Sequence, residues 1–214
     1  MGFGSSRLDG DQHRPEAADS VVGVADYMPL LGELASLNPP PFIFGSIAEA
    51  VLLDRAVSQS HGDIDVLIPR DQAELKTEQL GELGFHDFAV YYEPLPGRPL
   101  VLGSSRGDLA LELNLLDRDA TGSPYFAVRT EDGPVAISMP RDLFDWPATI
   151  IDGVPIRTLS PLALIQIRAG VTATGVFGPP RPGKDEMHQA RLIAAFFPDA
   201  EQELNEPRIM AITE

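Results

Sequence analysis

The chain contains no cysteine among its 214 residues, so disulfides and thiolate metal sites are excluded and redox gives no signal of compartment. No run of 18 or more apolar residues occurs, so a membrane span is not expected. Residues 1–7 (MGFGSSR) carry no secretory h-region, which leaves the cytoplasm as the default location. Positive charge is scarce: 16 Lys and Arg stand against 32 Asp and Glu, a formal net charge of −16. Binding to extended DNA or RNA is dominated by Lys and Arg neutralising phosphates, and no dense basic cluster exists here, so nucleic acid is a poor partner. Such a field would attract a small cationic substrate, although acidity also serves solubility alone. Against these absences, 43% hydrophobic and 22% charged residues are ordinary for a soluble globular protein. The length fits one full domain with an appendage, or two small ones, with a substantial core. No internal repeat is evident, and oligomeric state is not legible.

The most informative stretch runs from Pro41 to Pro69. Residues 41–44 (PFIF) read as a strand, Gly45 and Ser46 as the turn into a helix over 46–54, and residues 55–62 as a polar loop. The next strand carries Asp63 and Asp65 alternating with Ile64, Val66 and Ile68. A period of two sends both carboxylates to one side of that strand, roughly 6.5–7 Å apart along it. That spacing suits two oxygen ligands on one divalent cation, or two cations bridged by a carboxylate. At the Gly45–Ser46 turn, glycine lets backbone N–H groups approach a phosphate, and the helix N-terminus favours its negative charge. Either feature alone is common in turns and surface strands. Their order is what carries weight.

That order resembles the nucleotidyltransferase superfamily with the polymerase-beta-like core. Within it, residues 45–48 (GSIA), 53–55 (LDR) and 61–66 (HGDIDV) look like the aminoglycoside nucleotidyltransferases. Those carry Gly-Gly or Gly-Ser, an alanine two residues on, a Leu-Gly-Arg-like turn and then His-x-Asp-x-Asp. The basic residue that precedes the family's histidine is absent, since Gln59 and Ser60 stand there; His61 itself reads as loop-structuring.

Elsewhere the chain reads as follows. Residues 1–20 are a flexible tail. A helix over 21–37 is split or kinked at Pro29 and ended by prolines 39–41. A helix over 71–83 has Asp71 as N-cap and Gly84 as C-terminal cap. Extended runs follow over 87–92 and 100–102, and then a strand over 108–116. Its leucines 109, 111, 113 and 115 share one face; Ala110, Glu112, Asn114 and Leu116 share the other. A carboxylate on such an apolar strand is costly unless it is solvated, paired or metal-bound. The resemblance implies a third carboxylate here, beside the Asp-x-Asp strand. Glu112 falls at that position, with Glu for the usual Asp and Asn114 for the usual His. Asp108 is the fallback, and Asp117 is set aside because it points to the leucine face.

Short strands alternate with turns to residue 158, the clearest hairpin signal being Asp152–Gly153. Ser160 as N-cap and Pro161 at the first helical position open a helix over 162–169 that ends near Gly170. A last amphipathic helix runs from Lys184 to Phe197, where His188 and Arg191 read as surface residues. The resemblance implies that Lys184 touches the nucleotide phosphates.

The expectation is therefore an α+β fold: a nucleotidyltransferase-like mixed sheet flanked by helices, divided into a 1–20 tail, a 21–158 core and a 159–214 C-terminal helical region. The resemblance implies two Mg²⁺ ions at Asp63, Asp65 and Glu112, the catalytic carboxylates, with Gly45, Ser46 and Lys184 binding a nucleoside triphosphate such as ATP. It implies transfer of a nucleotide monophosphate to a hydroxyl of a small, cationic, aminoglycoside-type acceptor, with release of pyrophosphate. Two other classes stay open: a transferase with a protein or tRNA acceptor, and a relative that binds nucleotide without turnover.

Overall fold

The computed structural model describes residues 24–57, 63–176, 184–199, 204 and 208–212. The first of these segments forms helix α1 (Val24–Ser36), whose Tyr27, Leu30, Leu31 and Leu34 are buried at the i, i+3, i+4, i+7 spacing of one helical face. Pro29 lies inside this helix on its exposed side, and the helix continues through it instead of splitting. The expected tail lies outside the described residues.

A short strand β1 (Phe42–Ile43) leads into helix α2 (Gly45–Leu53), and strand β2 (Ile64–Pro69) returns antiparallel to β1. After β2 comes a single 3₁₀ turn (Arg70–Gln72) and helix α3 (Ala73–Glu82). The expected Asp71 cap is not made: Asp71 sits within the 3₁₀ turn, and α3 is entered from Gln72 with no side-chain cap. The tighter turn consumes the residues that would otherwise have started the α-helix. At the other end Gly84 follows the C-cap in a left-handed conformation, as expected.

Strands β3 (Ala89–Tyr92), β4 (Val101–Arg106) and β5 (Leu109–Arg118) follow. β5 is the axis of the sheet. Its first six residues pair antiparallel with β4 on one side and, from Leu111 on, parallel with β2 on the other. Its last two residues, Asp117 and Arg118, pair with β6 (Pro124–Thr130), which continues to β7 (Gly133–Ser138). The result is an eight-stranded mixed sheet, closed at one edge by β10 (Ile209–Ala211) on β7. The expected C-terminal helical region thus also supplies a strand to the main sheet.

Strands β8 (Thr149–Ile151) and β9 (Val154–Ile156) form a separate hairpin. Its two turn residues, Asp152 and Gly153, have φ of +50° and +82°, the two positive values that a type I′ turn requires. Helix α4 (Pro161–Thr174) starts as expected, with Ser160 Oγ accepting the Ala163 N–H at 3.3 Å. It does not end at Gly170. A Cβ there would collide with Ile137 of β7, so this glycine permits close helix–sheet approach, and the left-handed stop comes at Gly175. Helix α5 (Lys184–Phe196) packs against α4 and α2.

The core lies between these helices and the sheet. Ile64, Val66 and Ile68 of β2 pair in register with Leu111, Leu113 and Leu115 of β5, and all six are buried. Burying such side chains fully stabilises by about 1.5–3 kcal/mol each before entropy is subtracted. Phe42 stacks on Phe144, centroids 4.3 Å apart, with the Arg157 guanidinium 4.2 Å from its ring, which ties the segment before α4 to β1.

Candidate active site

The opposite face of β2 and β5 is where chemistry collects. The register pairs Asp65 directly with Glu112, so both side chains leave the same face of adjacent parallel strands, about 4.8 Å apart in backbone spacing. Both are half-buried, as is Asp63, which stands one residue before β2 begins. One step further along this face, Leu67 and Asn114 pair and are buried. The carboxylates therefore sit at the mouth of a surface that closes behind them. Asn114 donates to the Glu112 carbonyl at 3.3 Å, a bond that steadies the strand beside the carboxylate.

Gly45 comes onto this row from the other side. Phe44 donates its N–H to the Asp65 carbonyl at 3.0 Å, which brings the strand-to-helix turn against β2. Gly45 has φ +68°, and a Cβ on it would collide with Asp65 Oδ2. Any other residue would be strained in backbone and would displace the carboxylate. Ser46 is the second residue of α2, half-buried, beside the N–H groups that a helix N-terminus leaves unpaired within the helix. Gly45, Asp65 and Glu112 thus form one line across three elements.

The fallback carboxylate falls away. Asp108 is exposed in the β4–β5 turn, four residues before Glu112 and so roughly 13 Å along the strand from it. Lys184 is the first residue of α5; its side chain, like His61 and the loop before β2, lies outside what is described. Among the described residues no group of three or more His, Asp or Glu is arranged to hold a metal. The donor set still suits Mg²⁺, which is commonly bound by one or two carboxylates with substrate phosphates and water completing the shell.

Sequence reasoning set aside Asp117 and passed over Glu49, and the structure gives both structural work. Asp117 is buried and grips Arg70 bidentately at 2.6 and 2.9 Å, with Arg98 at 2.6 Å. Burial alone would push its carboxyl up, but the hydrogen bonds and charges of the two guanidiniums outweigh it and hold the carboxyl below its usual value. Glu49, on the second turn of α2, is also buried and is bonded to Arg168 of α4 and to His188 of α5. His188 is accordingly a buried residue and not a surface one; Arg191, one turn on, does lie at the surface, 2.8 Å from Asp54. The signal for Glu49 was present: one acid inside the otherwise apolar run 47–53 (IAEAVLL).

With that geometry in place, comparison with solved structures is decisive for the fold. The antibiotic-resistance factor ANT(2″)-Ia matches in two structures. Its solution structure has a TM-score of 0.58 at 18% identity, covering 86% of this chain and 89% of that one. Its complex with adenylyl-2″-tobramycin gives 0.59 at 18%, covering 85% and 95%. The chain has the nucleotidyltransferase fold. The lincosamide adenylyltransferase LnuA with bound lincomycin is more distant, at a TM-score of 0.48 and 17% identity over 71% of this chain and 84% of that one. No family model matches the sequence. No curated protein matches it either. The nucleotidyltransferase likeness is therefore one of fold, carried by 86% of the chain.

Proposed function

We propose that the protein transfers a nucleotide monophosphate from a nucleoside triphosphate to a hydroxyl of a small acceptor, with Asp63, Asp65 and Glu112 as the catalytic carboxylates. The observation that carries this reading is the row Gly45–Asp65–Glu112: a helix N-terminus with a side-chain-free first residue, pressed onto one of two register-paired carboxylates. Helix N-termini favour phosphate, and paired carboxylates favour divalent cations, so the two halves of a metal–triphosphate site lie side by side.

Gly45 and Ser46 bind the β- and γ-phosphates through backbone N–H groups and the Ser46 hydroxyl, and Lys184 at the start of α5 adds a cation. Asp63 and Asp65 would hold Mg²⁺, which would supply charge neutralisation across the triphosphate and a fixed orientation for its reacting groups. Glu112 accepts the proton of the acceptor hydroxyl. The hydroxyl oxygen bonds to the α-phosphorus as the bond from that phosphorus to the bridging oxygen of the β-phosphate breaks, so pyrophosphate leaves and the acceptor carries the nucleotide monophosphate. The net charge of −16 favours a cationic acceptor of the aminoglycoside type, of which tobramycin is an example.

The test is calorimetric titration of ATP, GTP, CTP and UTP with Mg²⁺ into the wild type and the Asp63→Asn/Asp65→Asn double variant. Metal-dependent binding that weakens sharply in the variant is the expected result. Its absence for every triphosphate in the wild type would refute the site. Pyrophosphate release with an acceptor present then separates a transferase from a nucleotide binder.

A further inference from the structure

The row of residues on the carboxylate face continues past Glu112. Glu112 pairs with Gly103 of β4, and Gly103 with Ala89 of β3. Residues directly opposite one another in a ladder point to the same face, so Gly103 places a gap beside Glu112 where a side chain would stand. The gap is filled from outside. A Cβ on Gly103 would overlap Cε2, Cζ and Cδ2 of Tyr91, which means that the Tyr91 ring lies flat over the Gly103 backbone.

The chain reaches this position by an irregularity. The β3–β4 register slips between Val90 and Tyr92, leaving Tyr91 as the extra residue of a bulge. Bulges re-aim a side chain and are over-represented next to active sites. Here the bulge lays a half-buried aromatic ring on the same face as Asp65 and Glu112, one strand beyond Glu112.

The geometry of transfer gives this ring a side. In an in-line displacement the attacking hydroxyl approaches opposite the leaving group. With the β- and γ-phosphates at Gly45 and Ser46, the leaving pyrophosphate lies at the β1 end of the row, so the acceptor arrives from the β4 end, over Glu112 and Tyr91. We propose that Tyr91, turned by the bulge and seated on Gly103, is the floor of the acceptor subsite, and that it takes the ring of an amine-bearing sugar. A tyrosine face beside carboxylates attracts ammonium groups through its quadrupole and packs the apolar face of a ring. This rests on the transferase reading above.

The ring could instead serve only to cover a glycine in a sheet, and the test separates the two roles. Tobramycin is titrated calorimetrically into wild type, Tyr91→Ala, Tyr91→Phe and Gly103→Ala, each with its melting temperature and with ATP·Mg²⁺ affinity measured separately. The expected result is a tobramycin Kd raised about tenfold in Tyr91→Ala, about one stacked contact's worth, and near-wild-type affinity in Tyr91→Phe. Gly103→Ala, which keeps the tyrosine but expels its ring from the seat, should match Tyr91→Ala. All three should bind ATP·Mg²⁺ as wild type does. A lowered melting temperature with unchanged tobramycin affinity overturns the proposal, as does equal loss in Tyr91→Phe. Wild type that binds ATP·Mg²⁺ but not tobramycin overturns the acceptor class. Wild type that binds no triphosphate takes down the transferase reading beneath it.

Discussion

The molecule holds two kinds of carboxylate. Asp117 and Glu49 are buried almost completely, and each is bonded to two basic side chains: Arg70 and Arg98 for the first, Arg168 and His188 for the second. Asp65 and Glu112 are half-buried and set side by side on neighbouring strands, where like charges directly opposite repel. The first kind ties elements together: Asp117 joins β5 to the turn after β2, and Glu49 joins α2 to α4 and α5. The second kind places negative charge at an opening, where a cation arriving from solvent would relieve it. Burial and position thus sort acids that the sequence alone presents as equals.

Removing one carboxylate of each kind should break the comparison in opposite directions. Asp65→Asn is expected to lower transfer about a thousandfold or more, measured as pyrophosphate release, because a pre-placed charge at the reacting phosphate is lost. Its melting temperature should fall less than that of a variant at a fully buried carboxylate, since position 65 is only half-buried and stays within reach of water. Glu112→Gln should cost about 10²–10⁴-fold in rate with triphosphate affinity less affected, as expected for a proton acceptor.

Glu49→Ala should do the reverse. Breaking a buried pair by deleting one partner costs about 3–5 kcal/mol, because the Arg168 charge left behind stays largely out of water. Urea unfolding should show that loss. A midpoint within error of wild type would mean that the three helices do not depend on Glu49. Asp117→Ala should cost less, about 2–3 kcal/mol, because Arg98 is half-exposed and can be rehydrated.

The same contrast has a pH signature. The Asp117 carboxyl is held below its ordinary value in the folded state, so its contribution to stability is fully present above the unfolded-state value, near pH 4. It is lost as pH falls through the lower folded value. Wild type should therefore lose stability below about pH 4 more steeply than Asp117→Asn, followed by fluorescence of Trp146 across an acid titration. The smallest effect is expected at the β8–β9 turn, where Gly153→Ala should cost about 1 kcal/mol through strain at positive φ, with transfer per folded molecule unchanged.

Local signals were legible where one residue type has one physical meaning. The Ser160–Pro161 helix start and the Asp152–Gly153 hairpin need only local backbone preferences, and both formed as read. So did the strand–Gly45–helix–strand order. Gly170 misled, because its reason is Ile137, 33 residues away in sequence, and not its own backbone. Asp71 misled because a 3₁₀ turn took the place of the cap. The roles of Glu49 and His188 were hidden for the same reason as that of Gly170: a buried acid is explained only by the side chains that meet it.

By itself the sequence determined the alternation that makes β2 and β5 strands, the glycine at the turn into α2 and the excess of negative charge. Periodicity and backbone preference act over a few residues, so they can be read there. Only the tertiary structure decided that Glu112 and not Asp108 stands beside Asp65, because a parallel register joins residues 47 apart and a slip of one would turn every side chain to the other face. It also decided that Asp117 belongs to the scaffold and that Tyr91 lies over Gly103, since burial, partners and ladder register exist only once the strands have met.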